Sequence, residues 1–200
     1  IRDRLGSIDL VLVPGGTLHA VPWAMLPSLR GRPLTVSPSA SLWASLEEDR
    51  PQRRQGKVVC IAGPSLRHAR REVEQVARLH PGSLTLSGRD ATAAAALAAL
   101  DGAAVAHLAC HGRFRSDSPL FSSFALADGP VTTFDLQALA GPPRILVLSC
   151  CELALSAARP GDELLGLAAV LLGLGTHTII ASVAPVPDGK TPLLMRAFHQ

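Results

Sequence analysis

Apolar residues in this chain come in short unbroken runs, and from residue 57 onward these alternate with stretches where apolar positions recur every three or four residues. The first pattern predicts buried strands and the second predicts amphipathic helices. Ile8 to Val13 reads as a strand, broken by the turn signal Pro14-Gly15-Gly16. Leu18 to Trp23 reads as a short extended or looped stretch, with Trp23, Met25 and Leu26 as core. Ser28 to Ser41, rich in proline, glycine and serine, is expected to be irregular, and Arg50 to Lys57 reads as an exposed basic linker.

From Lys57 the order is regular. Val58 to Ala62 is a strand closed by Gly63-Pro64, and Arg67 to His80 is a helix with Ala69, Val73, Val76, Ala77 and His80 on one side. Ser83 to Leu86 is a short strand, and the alanine-rich run to Leu100 is a helix capped by Asp90 or Thr92. Ala103 to Ala109 is the next strand, and Arg113 to Ser123 is a polar loop. Phe124 to Ala127 and Val131 to Thr133 flank Asp128-Gly129-Pro130 as a hairpin. Thr133 is placed to cap a short helix through Leu139. Arg144 to Ser149 reads as a strand, apolar without a break from Ile145 to Leu148, as in a sheet covered on both faces. A helix from Gly161 to Leu172, a strand from His177 to Val183 and a helix from Asp188 through Ala197 complete the chain. The alternation predicts an α/β fold: a mainly parallel sheet flanked by helices on both faces. Residues 1–56 are expected to form an N-terminal part and 57–200 a core that is C-terminally incomplete.

Composition narrows the function. The 200 residues are 48% hydrophobic and only 18% charged, enough for a large core. A net charge of +3, thinly spread arginines and 4% aromatics argue against nucleic-acid binding. No apolar run is long enough to span a membrane and no signal peptide is visible, so no membrane partner is expected. The cysteines are Cys60, Cys110, Cys150 and Cys151; an adjacent pair makes a poor disulfide framework and points to a reduced, cytoplasmic protein. The spacing His107-x-x-Cys110-His111 with Cys150-Cys151 is not that of a metal site, so neither metal nor cofactor is expected. The high alanine, arginine, glycine and proline content points to a GC-rich bacterial source.

Chemistry concentrates at two strand ends, His107-Leu-Ala-Cys-His-Gly112 and Leu148-Ser-Cys-Cys-Glu152. By period two, Val105, His107, Ala109 and His111 share one face. His111 ends that series at the rim, where an imidazole can serve as general base. His107 lies deeper and reads as a buried, hydrogen-bonded histidine, while Cys110 and Cys150 read as core. Gly112, lacking a side chain, can bring its N–H close to a reacting carbonyl oxygen. Cys151 stands where its strand gives way to a loop. A thiol there, beside an imidazolium, would be a good nucleophile, and its own N–H could complete an oxyanion hole with Gly112. Asp117, Asp162 and Glu163 are candidate acids for a pocket that takes a basic side chain. For Asp162 and Glu163 a helix N-terminal role is the competing reading.

His-Leu-Ala-Cys-His-Gly followed by Leu-Ser-Cys-Cys-Glu resembles the CHAT domain, a caspase-like cysteine peptidase family related to separases. The likeness extends through Val13-Pro-Gly-Gly-Thr-Leu18 with Val21-Pro-Trp23, Pro38-Ser39, Glu72 in the first regular helix, and Gly88-x-x-Ala91-Thr92. It continues through Leu126-Ala-Asp-Gly129, Gly161-Asp-Glu-Leu-Leu-Gly166 and Ser182-Val-x-Pro-Val-x-Asp188. The resemblance implies a caspase-like fold with His111 and Cys151 as a catalytic dyad that cleaves a protein substrate through an acyl-enzyme. It also implies helical repeats upstream and activation by a partner. The chain departs from the family at Leu153 and Ala154, where Ser or Thr and Gly usually follow Cys-Glu, and at Ala184, often Trp. Those departures suit an alternative, a caspase-like binding or scaffold module without cleavage. A flavodoxin-like nucleotide binder would need a phosphate-binding glycine loop after a strand, and the glycines here do not follow that pattern.

Overall fold

The computed structural model describes residues 9–15, 18, 21–48, 56–113, 115, 117–149, 160–182 and 186–200, with the backbone alone over 160–166. The chain divides into two compact units, residues 1–53 and 54–200.

In the first unit, β1 (Leu10–Leu12) pairs in parallel with β2 (Leu34–Val36), Leu10 opposite Leu34. Helix α1 spans Ala40–Glu48, and the Ser39 hydroxyl accepts the Leu42 N–H at 3.1 Å at its start. The expectation of an irregular stretch from Ser28 to Ser41 is therefore corrected: it contains β2 and the first residues of α1. The surrounding proline, glycine and serine masked this short strand, and its pairing with β1 reveals it. The expected core is corrected too. Trp23 and Leu26 are half-buried, Met25 is 66% exposed, and Leu29 is the buried residue. Trp23–Met25 is a 3₁₀ turn; at three residues per turn Trp23 and Leu26 share a face and Met25 lies off it.

The second unit runs β3 (Val58–Ala62), α2 (Ala69–Leu79), β4 (Leu84–Leu86), α3 (Ala93–Leu100) and β5 (Val105–Ala109). It continues with β6 (Gly112–Arg113), β7 (Ser123–Ala125), β8 (Pro130–Thr132) and β9 (Ile145–Leu148). Helix α4 (Pro160–Gly173), β10 (Thr178–Ala181) and α5 (Thr191–His199) follow. Five strands form one sheet in the order β10-β9-β5-β3-β4, every neighbouring pair parallel. This is a doubly wound order, with the chain turning outward in opposite directions from β3 and β5. Helices cover both faces, and the α/β, caspase-like architecture read from the sequence is what the structure has.

Alternation along the strands sorts the core. Val59, Ile61, Ala106, Leu108, Leu146 and Leu148 pack with Ala96 and Leu100 of α3 and Leu167 and Leu171 of α4. Cys60, Ala62 and Ala109 face the other way, onto Ala69, Val73 and Val76 of α2 and Met195 of α5. Each fully buried aliphatic side chain contributes about 2 kcal/mol of burial free energy before entropy is counted. The predicted hairpin is β7–β8, Phe124 opposite Val131. The polar loop before it also supplies β6, antiparallel to β7 with Gly112 opposite Phe124.

Two local expectations shift. Thr133 does not cap the turn at Asp135–Ala138, whose N-cap is Phe134; before it the Asp135 N–H donates to Thr132 Oγ1 (3.2 Å), and Asp135 Oδ2 accepts the Thr132 N–H (2.7 Å). Thr133 is fully buried, its hydroxyl donating to the Ser122 carbonyl. Asp188–Lys190 is a 3₁₀ turn, and the α-helix begins at Thr191. Among the described residues, no helix is long and apolar enough to cross a membrane.

Candidate functional site

The carboxyl ends of β3, β5 and β9 lie side by side at the point where the strand order reverses. Gly63, just past β3, donates its N–H to the Ala109 carbonyl at 2.8 Å. A Cβ on Gly63 would lie 2.5 Å from Cys110 Cβ and 2.6 Å from the Ala125 carbonyl oxygen. Only glycine lets the three backbones meet so closely, and this contact sets the floor beneath the next residue, His111.

His111 is half-buried, with Nδ1 shielded from solvent, and its carbonyl accepts the Ala125 N–H at 2.8 Å. The residue is thus held between the central sheet and the hairpin. That same bond decides the direction of the Gly112 N–H. In an antiparallel ladder hydrogen-bonded and non-hydrogen-bonded pairs alternate. The bond into His111 makes Gly112–Phe124 a non-hydrogen-bonded pair, so the Gly112 N–H points away from β7. Gly112 is buried, as an oxyanion donor must be to act at low dielectric.

Cys110 is fully buried in the core beside Phe124, as its alternation predicts. Cys60 is also buried, and burial pushes its thiol up to about 11, so it is un-ionised at neutral pH. Cys151, Cys150, Leu153, Ala154 and Ala184 lie outside the described residues. Asp162 and Glu163 fall in the first turn of α4, where negative charge favours the helix dipole; their side chains are outside the description. Asp117 is exposed and bound by its neighbour Arg115, whose Nη2 lies 2.7 Å from Oδ2 and Nε 3.2 Å from Oδ1. That guanidinium holds the Asp117 carboxyl below the usual carboxylate range.

On the α2–α5 face His107 is the buried, hydrogen-bonded histidine expected from the sequence, but sequence reasoning missed its partners. His107 is fully buried, and its Nε2 lies 2.9 Å from Oε1 of Glu72, itself 1% exposed. Burial pushes the Glu72 carboxyl up, but hydrogen bonding from His107, with the Ser149 and Thr191 hydroxyls nearby, outweighs it and leaves the carboxyl below its ordinary value. The Thr191 hydroxyl itself donates to the Asp188 carbonyl (2.9 Å), and Ser149 Oγ stands outside hydrogen-bonding geometry, so His107 carries most of that effect. The alternation of His107 with His111 was the only signal in the sequence; nothing there paired it with Glu72.

A cleft of about 210 Å³ opens at the ends of β9 and β10 against α5, lined by Ser149, Ile180, Ser182, Thr191, Leu194 and Phe198 among others. Ser149 is two positions before Cys151 in the chain. Among the described residues, no group of three or more His, Cys, Asp or Glu is arranged to hold a metal ion. His111 and the buried Gly112 follow β5, and Ser149, which lines the cleft, follows the neighbouring β9. A profile of the CHAT domain matches residues 2–200. No curated protein matches the sequence.

Proposed function

From the premise that this chain belongs to the CHAT domain family, a family of caspase-like peptidases, we propose that it is a cysteine endopeptidase in which Cys151 is the nucleophile and His111 the general base and acid. One observation carries the reading. Strands β5 and β9 are adjacent and parallel, with Leu108 opposite Leu148. His111 and Cys151 each stand three positions beyond that pair (111 − 108 = 3; 151 − 148 = 3). Continued register would bring them level at the rim of the same crevice.

In the proposed reaction His111 takes the Cys151 thiol proton and the thiolate attacks the scissile carbonyl. The oxyanion is met by the N–H groups of Gly112 and Cys151. Collapse breaks the C–N bond, His111 gives its proton to the leaving amine, and a thioester remains. His111 then deprotonates a water that hydrolyses the thioester, releasing the carboxylate product and the thiol. The substrate is a protein, the setting the cytoplasm of a bacterium, and regulation comes from upstream repeats or an activating partner. Asp117 is engaged by Arg115, which weakens its case as a pocket acid; Asp162 and Glu163 suit the N-terminus of α4.

The test is a thiol-reactive peptidyl probe followed by mass mapping. Label is expected on Cys151, because Cys60 is buried and un-ionised. Cys151→Ala should lower cleavage of a substrate protein about 10³-fold or more and His111→Ala by about 10²- to 10⁴-fold. The alternative, a scaffold without cleavage, draws on Leu153, Ala154 and Ala184, where the family has Ser or Thr, Gly and often Trp. It is favoured if Cys151 stays unlabelled and Cys151→Ala leaves the protein's cellular activity intact.

A further inference from the structure

Three histidines and a glutamate form one hydrogen-bonded row across the α2–α5 face. His80 Nε2 lies 3.1 Å from His199 Nδ1, His199 Nε2 lies 3.2 Å from His107 Nδ1, and His107 Nε2 lies 2.9 Å from Glu72 Oε1. Successive ring centroids are 5.2 and 5.1 Å apart. A carboxylate can only accept, and that sets the direction of the whole row. Glu72 takes the His107 Nε2–H, His107 Nδ1 takes the His199 Nε2–H, and His199 Nδ1 takes the His80 Nε2–H. Three neutral rings satisfy every bond.

The row joins three elements: α2 through Glu72 and its C-cap residue His80, β5 through His107, and α5 through His199. Its charge arithmetic is simple. One bound proton balances the Glu72 carboxylate. A second leaves a net positive charge on a row of one fully buried and two half-buried rings, and with both protons on imidazoles at least one histidine–histidine bond faces donor to donor. We propose that this row is an acid-sensitive latch: it holds α5 on the sheet when at most one proton is bound and releases α5 when a second is bound. The middle ring agrees, since burial, His107 and His80 together lower His199 to about 4 from an ordinary 6.5.

Glu72 is the carboxylate hydrogen-bonded into the row. Cys60, packed near Met195, remains a thiol. Asp188, before α5, accepts the His68 N–H at 3.3 Å, and the His68 ring lies beside Gly189. Arg196 is the other basic residue of α5, and the helix carries no acid. Release would remove Thr191, Leu194 and Phe198 from the wall of the cleft at the ends of β9 and β10. The latch goes beyond the peptidase proposal and does not depend on it.

Hydrogen–deuterium exchange of the full chain at pH 7.5, 6.0 and 4.5, corrected for intrinsic rates, reads the latch directly. Residues 191–199 should lose at least about tenfold more protection than residues 93–100 of α3 between pH 7.5 and 4.5. His199→Gln, whose amide can accept from His80 and donate to His107 without titrating, should reduce that excess below about threefold. Glu72→Gln removes the balancing charge and should move release about one pH unit upward. Equal loss in α3 and α5, or an unchanged pH midpoint in His199→Gln, overturns the latch. Should His199→Gln leave α5 unprotected already at pH 7.5, Glu72→Gln decides: an upward shift supports the latch and an unmoved or lower midpoint refutes it.

Discussion

Gly63 shows how much one missing side chain can do. It stands where β3, the segment after β5 and β7 converge, and a methyl group there would overlap Cys110 and the Ala125 carbonyl. Gly63→Ala is therefore expected to cost about 1–3 kcal/mol by forcing these backbones apart. It should also slow any His111-dependent cleavage, because His111 is bonded to Ala125. Urea denaturation would show the first effect as a lower midpoint at unchanged slope, and a wild-type midpoint would refute it. By contrast Gly31 and Gly82 meet nothing within 4 Å at a Cβ and are glycines for their positive φ alone. A single sequence does not separate these two kinds of glycine, because the difference is who stands opposite.

At the scale of elements, local pattern was a good guide wherever a segment could be judged by itself. The strand at Val58–Ala62, the helix at Ala69–Leu79 and the alanine-rich helix were all legible from period and composition. Their ends depended on partners. The N-terminus of α3 takes two caps: Thr92 Oγ1 accepts the Ala95 N–H at 3.2 Å, and Asp128 Oδ1, from the hairpin turn, accepts the Ala93 N–H at 2.7 Å. Thr92 is one of two residues the sequence offered for this role, whereas Asp128 is 35 positions away and read only as a turn residue. Thr92→Ala and Asp128→Ala should each lower stability by about 1 kcal/mol. The Asp128 change should also raise exchange in the hairpin, and thermal melts with exchange data would separate the two. β2 lies within a proline-, glycine- and serine-rich stretch and β6 at the edge of a polar loop, so composition hid both and their pairing defines them.

For the whole molecule the consequence is a stability that depends on mild acid. His199 holds its proton less readily when folded, at about 4 against 6.5. The folded chain therefore binds fewer protons than the unfolded chain between those values, and stability falls as pH drops from 6.5 toward 4. Glu72, lowered from 4.5, adds a loss at the acid end of the same range as it protonates. The urea midpoint should be nearly flat from pH 8 to 7 and decline below 6.5, with His199→Gln showing a shallower decline; a midpoint level down to pH 5 would contradict this. The candidate site has the same mixed origin. His111, Gly112 and Cys151 stood out because chemistry-bearing residues end apolar runs. The Glu72–His107–His199–His80 row did not, since its bonds span 35, 92 and 119 positions.

Taken alone, the sequence determined the α/β class, most helices and strands of residues 57–200, and two strand ends rich in reactive groups. These follow from periods of two and 3.6 and from turn residues, which act over a few positions. The tertiary structure decided that β5 lies between β3 and β9, that Leu108 stands level with Leu148, and that a row of imidazoles that includes the buried His107 joins α2, β5 and α5. Strand order and register arise from packing two faces of one sheet at once, and that is a property of the assembled chain rather than of any segment in it.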